Sequence, residues 1–433
     1  MKHGVDSGLN GGVVGGVNLG ALRSHNTALV LDLLRTAGPE GISRLELAER
    51  TGLTPQAVSK ITARLREDGL VAEAGRRAST GGKPRTVLRL VPEAGHAVGV
   101  HLDRDELTAV LCDLTGAVIA RRRTPLDLGA GAETVVERAV REVGELVAGG
   151  GRPGAVLGVG VALPGPLDHR RGVLHRVTGF PEWNGFPLRD VLARRLSLPV
   201  VVDKDTNAAA LGLAVGGAVG GGAGSGTAVP ATARSGGAVP VIAGAGTIGS
   251  GMSASGTSAP RAAAPGATPV TTSPAPTPSA ASFAYLHFGA GLGGGLVIGG
   301  AVHRGTRTGA GEFGHQVVQL DGPPCGCGNR GCVEALCLAA VARGDLAEAA
   351  RVLGTAAGNL VALLDVDLVL LGGRTVAAAP ETFVRGVAAV LDERARRAGE
   401  DAVPVRVAAG GERGVAEGAA QLLLAPLFGR AEG

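Results

Sequence analysis

The sequence predicts an α/β protein preceded by a small, basic, helix-rich module. Three observations carry that expectation. Residues 23–92 hold capped helical patterns and short apolar runs, with 12 Lys/Arg against 7 Asp/Glu in a 433-residue chain whose formal net charge is only +4. From about Gly95 onward, short β-branched runs alternate with helical periodicities, the signature of an α/β architecture. Residues 216–282 then interrupt that pattern with a Gly, Ala, Ser, Thr and Pro tract in which Arg234 and Arg261 are the only charged residues. Such a composition cannot bury a core and reads as a disordered insertion in a loop of the 95–433 domain.

In chain order, residues 1–22 are glycine-rich and are expected to form a disordered tail. A first helix is expected near Asn26–Thr36, with Leu29, Leu31, Leu33 and Leu34 as its apolar content. Ser43 and Glu46 have the spacing of a capping box for a second helix through Arg50, and Thr51-Gly52-Leu53 turns the chain. Thr54 then supplies an N-cap and Pro55 the first position of a third helix. On that helix Val58, Ile61 and Leu65 point inward, leaving Gln56, Ser59, Lys60 and Arg64 outward. Residues 70–73 and 86–90 read as two strands around a loop containing Arg76, Arg77, Lys83 and Arg85. This is the layout of a winged helix-turn-helix over residues 23–92. Its outward residues Gln56, Ser59, Lys60 and Arg64 can reach base edges in the major groove of double-stranded DNA, while Lys83 and Arg85, with Arg76 and Arg77, suit phosphates or a minor groove. The alternative is a solvated basic face on a dimerisation module.

Beyond Gly95, paired strands are expected at 97–102 and 108–113, further strands at 158–163, 200–202, 285–288 and 368–371, and helices at 132–147, 188–196 and 346–364. No apolar run approaches the roughly 20 residues that span a bilayer, which points away from a membrane protein. The five cysteines and the absence of a signal-peptide pattern fit a reducing cytoplasm.

The densest chemistry lies between Gly311 and Glu334, in G-E-F-G-H-Q-V-V-Q-L-D-G-P-P-C-G-C-G-N-R-G-C-V-E. His315, Cys325, Cys327 and Cys332 supply one imidazole and three thiolates, a set suited to a tetrahedral structural Zn²⁺ with no open position for water. The competing reading is a disulfide or scattered free thiols, although Cys325 and Cys327 are too close in sequence to pair comfortably. Glu312 and Glu334 bracket the cluster with carboxylates that zinc does not need, and so look available to a ligand.

Together, the helix-turn-helix, G-V-G-V-A-L-P-G-P-L-D at 158–168, D-K-D-T-N-A-A-A-L-G at 203–212, G-E-F-G-H at 311–315 and C-G-C-G-N-R-G-C-V-E resemble the ROK family of repressors, open reading frames and sugar kinases. The resemblance implies a two-lobed, actin-like ATPase or sugar-kinase fold with a hexose-binding cleft, preceded by the DNA-binding module of the repressor branch. It implies that Asp205 matches the kinase general base, and that Glu312, His315 and Glu334 contact the sugar while His315 also ligates zinc. A sugar offers a ring of hydroxyl donors, for which carboxylates are the natural acceptors. Asn207 is read as a helix-start residue and Gly165 as part of a tight turn at the cleft.

Several departures oppose catalysis. The kinases open with an aspartate-glycine-rich phosphate turn, where this chain has His101-Leu102-Asp103-Arg104-Asp105-Glu106. The second glycine loop, 288–295, has Ala290 in place of the usual threonine, Lys204 replaces an asparagine, Leu213 stands where a glutamate is common, and the stretch from Cys332 to Gly344 is shorter than the family pattern. ATP is therefore not expected as a cofactor. The resulting expectation is a non-catalytic, sugar-responsive DNA-binding regulator, a repressor of carbohydrate uptake or catabolism genes, acting on an operator as a homodimer or homotetramer. The alternatives are an ATP-dependent sugar kinase with a regulatory DNA-binding domain, and a DNA-binding protein whose sugar site has decayed.

Overall fold

In the computed structural model the residues described are 25–77, 85–149, 156–175, 177, 179–216 and 282–430. The expected tail at 1–22, Lys83 and nearly all of the expected insertion lie outside them.

The N-terminal module forms as its caps require. Helix α1 (His25–Ala37) buries Ala28, Val30, Leu31 and Leu34. A short strand β1 (Ile42–Ser43) leads into α2 (Arg44–Thr51), where both halves of the capping box are made: Ser43 N donates to Glu46 Oε2 (2.8 Å) and Glu46 N to Ser43 Oγ (3.2 Å). Gly52 ends α2 in the left-handed conformation (φ 69°), which its missing Cβ makes easy. Thr54 Oγ1 accepts from Ala57 N (3.2 Å) and Pro55 opens α3 (Pro55–Glu67). Val58 and Leu65 face inward as expected, but the third buried position is Thr62, not Ile61, which is half-buried. Thr62 can be buried because its hydroxyl donates to Val58 O (2.9 Å) and accepts from Arg44 Nε (3.3 Å). The wing is β2 (Val71–Arg77) antiparallel to β3 (Arg85–Leu90), with β1 on the other side of β3.

The first lobe has β4 (His96–Leu102), β5 (Glu106–Asp113), β6 (Val118–Pro125), helix α4 (Ala132–Gly149), β7 (Val156–Leu163), the small ribbon β8 (Leu167–Asp168) and β9 (Val173–Leu174), α5 (Leu188–Leu196) and β10 (Val200–Lys204). Helix α6 (Asp205–Val215) leads out of it. The second lobe has β11 (Phe283–Phe288), β12 (Leu292–Ile298), β13 (Ala301–Val302), α7 (Val333–Ala342), α8 (Leu346–Leu364), β14 (Leu368–Gly372), α9 (Arg374–Ala378), α10 (Pro380–Ala398) and β15 (Val405–Val407), followed by α11 (Gly414–Leu424). The strands and helices expected from periodicity are all present, with boundaries in the lobes shifted by up to two residues, while the first wing strand, expected at 70–73, runs on to Arg77.

The two large sheets share one topology. Their orders are β10-β7-β4-β5-β6 and β13-β12-β11-β14-β15, so in each lobe the first three strands form an antiparallel meander and the last two join in parallel. Helices α6 and α11 pack on each other between these sheets. Contact there is backbone on backbone: a Cβ on Gly99 of β4 would lie 1.9 Å from Ala416 O, and one on Gly160 of β7 1.8 Å from Ala419 O.

The chain after α11 makes the decisive connection. Residues Ala425–Phe428 form a 3-10 turn beneath α1. One continuous apolar cluster joins Val30, Leu31, Leu34 and Leu65 of the helical module to Ala97 and Cys112 of the first lobe and to Ala416, Leu424 and Phe428. The Arg35 guanidinium lies 4.5 Å above the Phe428 ring, and Arg430 Nε donates to Asp32 Oδ1 (3.3 Å). No helix among the described residues is long and apolar enough to cross a membrane.

Candidate ligand cleft, metal centre and basic helix face

Gln56, Ser59, Lys60 and Arg64 are all exposed on α3, and Arg85 is exposed at the start of β3. The four helix residues form one accessible polar face, opposite the buried stripe of α3.

Asp205, Glu312, His315 and Glu334, distant in sequence, line a single cleft at the end of the two sheets. Asp205 is the first residue of α6, where the helix dipole favours a carboxylate, and its Oδ1 accepts from Thr206 N (2.6 Å). Glu334, in the first turn of α7, accepts from Leu292 N through Oε2 (2.8 Å) and so ties that helix to the glycine turn between β11 and β12. Each carboxylate keeps an oxygen for a ligand hydroxyl.

Glu312 is less free than its sequence context suggested. Its Oε1 accepts from Lys204 Nζ (2.9 Å), and the same ammonium donates to Ala310 O (2.6 Å). The Lys204 side chain is only 3% exposed, so this pairing makes burial of its charge tolerable. Beneath it, buried Asp203 accepts from Lys204 N (2.8 Å), Asn207 Nδ2 (2.9 Å) and Arg304 Nε (2.7 Å). Asn207 is therefore a structural residue of the helix start, fully buried and not part of the cleft wall. Gly165 does border the cleft, where a Cβ would stand 2.6 Å from Lys204 Cδ. His287 also lines the cleft, with its Nδ1 2.9 Å from Tyr285 Oη, and burial above all holds its pKa below the ordinary value of 6.5.

Sequence reasoning missed Asp203, Arg304 and Arg374. Arg374, at the start of α9, donates to both oxygens of Asp105 (2.9 and 2.8 Å), joining the β4–β5 turn of one lobe to the other lobe. Partners 269 residues apart leave no local signal.

The Cys/His segment closes into a cluster. Cys325 Sγ lies 3.7 Å from His315 Nδ1 and Cys327 Sγ 3.6 Å from Cys332 Sγ, with all four ligand atoms within 4.8 Å of one another. These separations far exceed an S–S bond of about 2.05 Å. They match the edge of a tetrahedron with metal–sulfur bonds of about 2.3 Å. The donor set and its spacing therefore fit a four-coordinate metal. Gly331 (φ 66°) permits the fold, since a Cβ there would lie 1.6 Å from Gln319 O. The other cysteines, Cys112 and Cys337, are buried elsewhere, and Cys337 donates to Ala349 O (3.5 Å). His315 is shared: its ring faces the thiols and also borders the cleft.

Comparison with known proteins agrees with this geometry. Residues 97–239 and 277–343 match the ROK family model, and residues 24–79 match that of the MarR family. The chain is 23% identical over 319 residues to the xylose repressor of Bacillus subtilis (strain 168), covering 72% of this chain and 65% of that protein. It is 27% identical over 332 residues to the DNA-binding transcriptional dual regulator NagC of Escherichia coli (strain K12), covering 74% and 64%. A xylose repressor of Caldicellulosiruptor bescii aligns at 24% identity over 68% of this chain and 59% of its own length. The chain thus spans about three-fifths of the length of the curated relatives it matches. Among solved structures, a ROK family transcriptional regulator homologous to the E. coli MLC protein superposes with a TM-score of 0.66 at 20% identity, covering 94% of this chain and 96% of that one. The ROK hexokinase of Thermus thermophilus gives 0.51 at 26% identity, covering 75% and 96%. The chain thus carries a ROK-family domain preceded by a MarR-type winged-helix module.

Proposed function

We propose that the protein is a sugar-responsive transcription regulator, a repressor of carbohydrate uptake or catabolism genes. The observation that carries this reading is the unbroken apolar cluster from α1 through Phe428 to α11, because α11 also packs against α6, whose first residue, Asp205, lines the cleft. A movement of the lobes about α6 and α11 would displace the bed on which the DNA-binding module rests. Repressor names among the relatives support the same conclusion.

In this reading Asp205, Glu312, His315 and Glu334 accept from or donate to sugar hydroxyls. His315, Cys325, Cys327 and Cys332 hold a structural Zn²⁺, which fixes the loop carrying two sugar contacts. Gln56, Ser59, Lys60 and Arg64 meet base edges of an operator, and Lys83 and Arg85 its phosphates. Two copies or two pairs of copies would match the half-sites of a palindromic operator. Sugar binding shifts the population between lobe arrangements, and with it the DNA-competent fraction.

A kinase is disfavoured by the β4–β5 turn. Asp103, Arg104, Asp105 and Glu106 put three acids and no glycine beside the cleft, and Asp105 is clamped to Arg374. Isothermal titration of the full chain with a panel of monosaccharides, with and without ATP, tests the proposal. Sugar binding without ATP turnover is expected. ATP-dependent phosphorylation would favour the kinase, and silence towards every sugar would favour a decayed site.

A further inference from the structure

The cleft holds two cations in opposite situations. Lys204 is matched from within the protein, by Glu312 and the Ala310 carbonyl. Arg104 is not: its backbone N–H donates to Asp103 Oδ1 (2.8 Å), but its guanidinium has no carboxylate or carbonyl acceptor among the described residues. Of the flanking acids, Asp105 is committed to Arg374 and Glu106 to Arg123, while Asp103 accepts from the Arg104 backbone N–H and lines the cleft itself.

Yet the guanidinium is held in place. It lies 5.7 Å from the centroid of the Phe180 ring, and its Nη2 comes within 3.3 Å of where a Cβ on Gly291 would stand. Glu334 Oε2 approaches the same point from another direction, at 2.9 Å, without pairing with Arg104. The glycine at 291 keeps this gap open. A half-buried guanidinium carries a rigid fork of donors suited to two anionic oxygens, and here that fork is left to the cleft. The carboxylates of the cleft suit hydroxyls; Arg104 suits something that a neutral sugar does not have.

We propose that Arg104 reads an anionic substituent on the effector, so that the ligand is a monosaccharide bearing a carboxylate or a phosphate. This rests on the sugar-sensing role assigned to the cleft, and it fixes the ligand class within that role. The hydroxyls of such a ligand meet Asp205 and Glu334 while its charged group lies against Arg104 beside the Gly289–Gly293 turn. Phe180 acts as a positioning residue by supporting the guanidinium from the far side.

The test is titration calorimetry on the full chain with matched sets: glucose, galactose, mannose and N-acetylglucosamine, the uronic acids of the first three, and the 6-phosphates of all four. At least one acidic sugar is expected to bind about tenfold or more tighter than its neutral parent, the size of a charge-assisted contact. The uronate and phosphate arms identify which anion is read. Arg104→Gln is expected to bring the acidic sugar to within about twofold of its parent while leaving the neutral sugar unchanged, and Arg104→Lys to keep part of the preference. Neutral sugars binding as well as, or better than, every acidic partner would overturn the proposal and leave the sugar-sensor reading intact. Retention of the preference in Arg104→Gln would overturn the role of Arg104. Silence towards all members of the panel overturns both readings, and because the wild-type panel decides ligand class by itself, a poorly folding variant does not rescue the idea.

Discussion

His315 is the residue at which the Cys/His cluster and the cleft meet, so its neighbours give the most local tests. Replacing Cys325 or Cys332 with serine is expected to remove about one equivalent of zinc per chain, measured by elemental analysis, and to lower sugar affinity at least tenfold. Full affinity in a zinc-free variant would count against the cluster as a wall of the cleft. His287 makes a pH prediction. Burial lowers its pKa below 6.5, with His101 and Arg374 acting in the same direction and Asp205 and Asp103 opposing. The unfolded chain therefore takes the proton first, so this contribution to stability is complete above about pH 6.5 and is lost as pH falls from there through the folded value. Thermal unfolding between pH 7.5 and 5 should show a fall that His287→Gln flattens. On the DNA side, Lys83→Ala or Arg85→Ala should reduce the slope of log affinity against log salt by about one, while Gln56→Ala should change which base is preferred, at about 1–3 kcal/mol. An unchanged salt slope in both wing variants would remove them from the phosphate contacts.

Elements show why some features were legible in the chain and others were not. The capping box of Ser43 and Glu46, the Thr54-Pro55 start of α3 and the glycine after α2 are local codes, and each formed where the sequence placed it. The Cys/His cluster was equally legible because three of its four ligands lie within eight residues. Ile61 misled because periodicity scores apolarity, whereas Thr62 satisfies its hydroxyl within the helix and takes the buried place. The repeated topology of the two lobes, the Asp203–Arg304 pair and the Asp105–Arg374 pair are set by strand order, which no local pattern encodes. The glycines of β4 and β7 are visible in the sequence, but their purpose appears only once α11 lies against them. Gly160→Val should cost about 1–3 kcal/mol or more in a denaturant titration, because no rotamer relieves a Cβ 1.8 Å from Ala419 O. Asp105→Asn, by contrast, breaks a half-exposed pair and should cost no more than about 1 kcal/mol.

At the scale of the whole molecule, packing links the cleft to the winged-helix module. Helix α11 packs on the first sheet and on α6, α6 packs on the second sheet, and the C-terminal extension of α11 carries α1. Phe428 lies at that junction, buried and stacked on Arg35, so Phe428→Ala should uncouple the two ends while leaving sugar binding within about twofold of wild type. The most direct measurement is operator affinity of the full chain, by fluorescence anisotropy, across a titration of whichever sugar calorimetry identifies. The expected result is a change in operator Kd of about fivefold or more at saturation, corresponding to at least about 1 kcal/mol of coupling, abolished by Asp205→Asn. A saturated cleft with an unchanged operator Kd would contradict it.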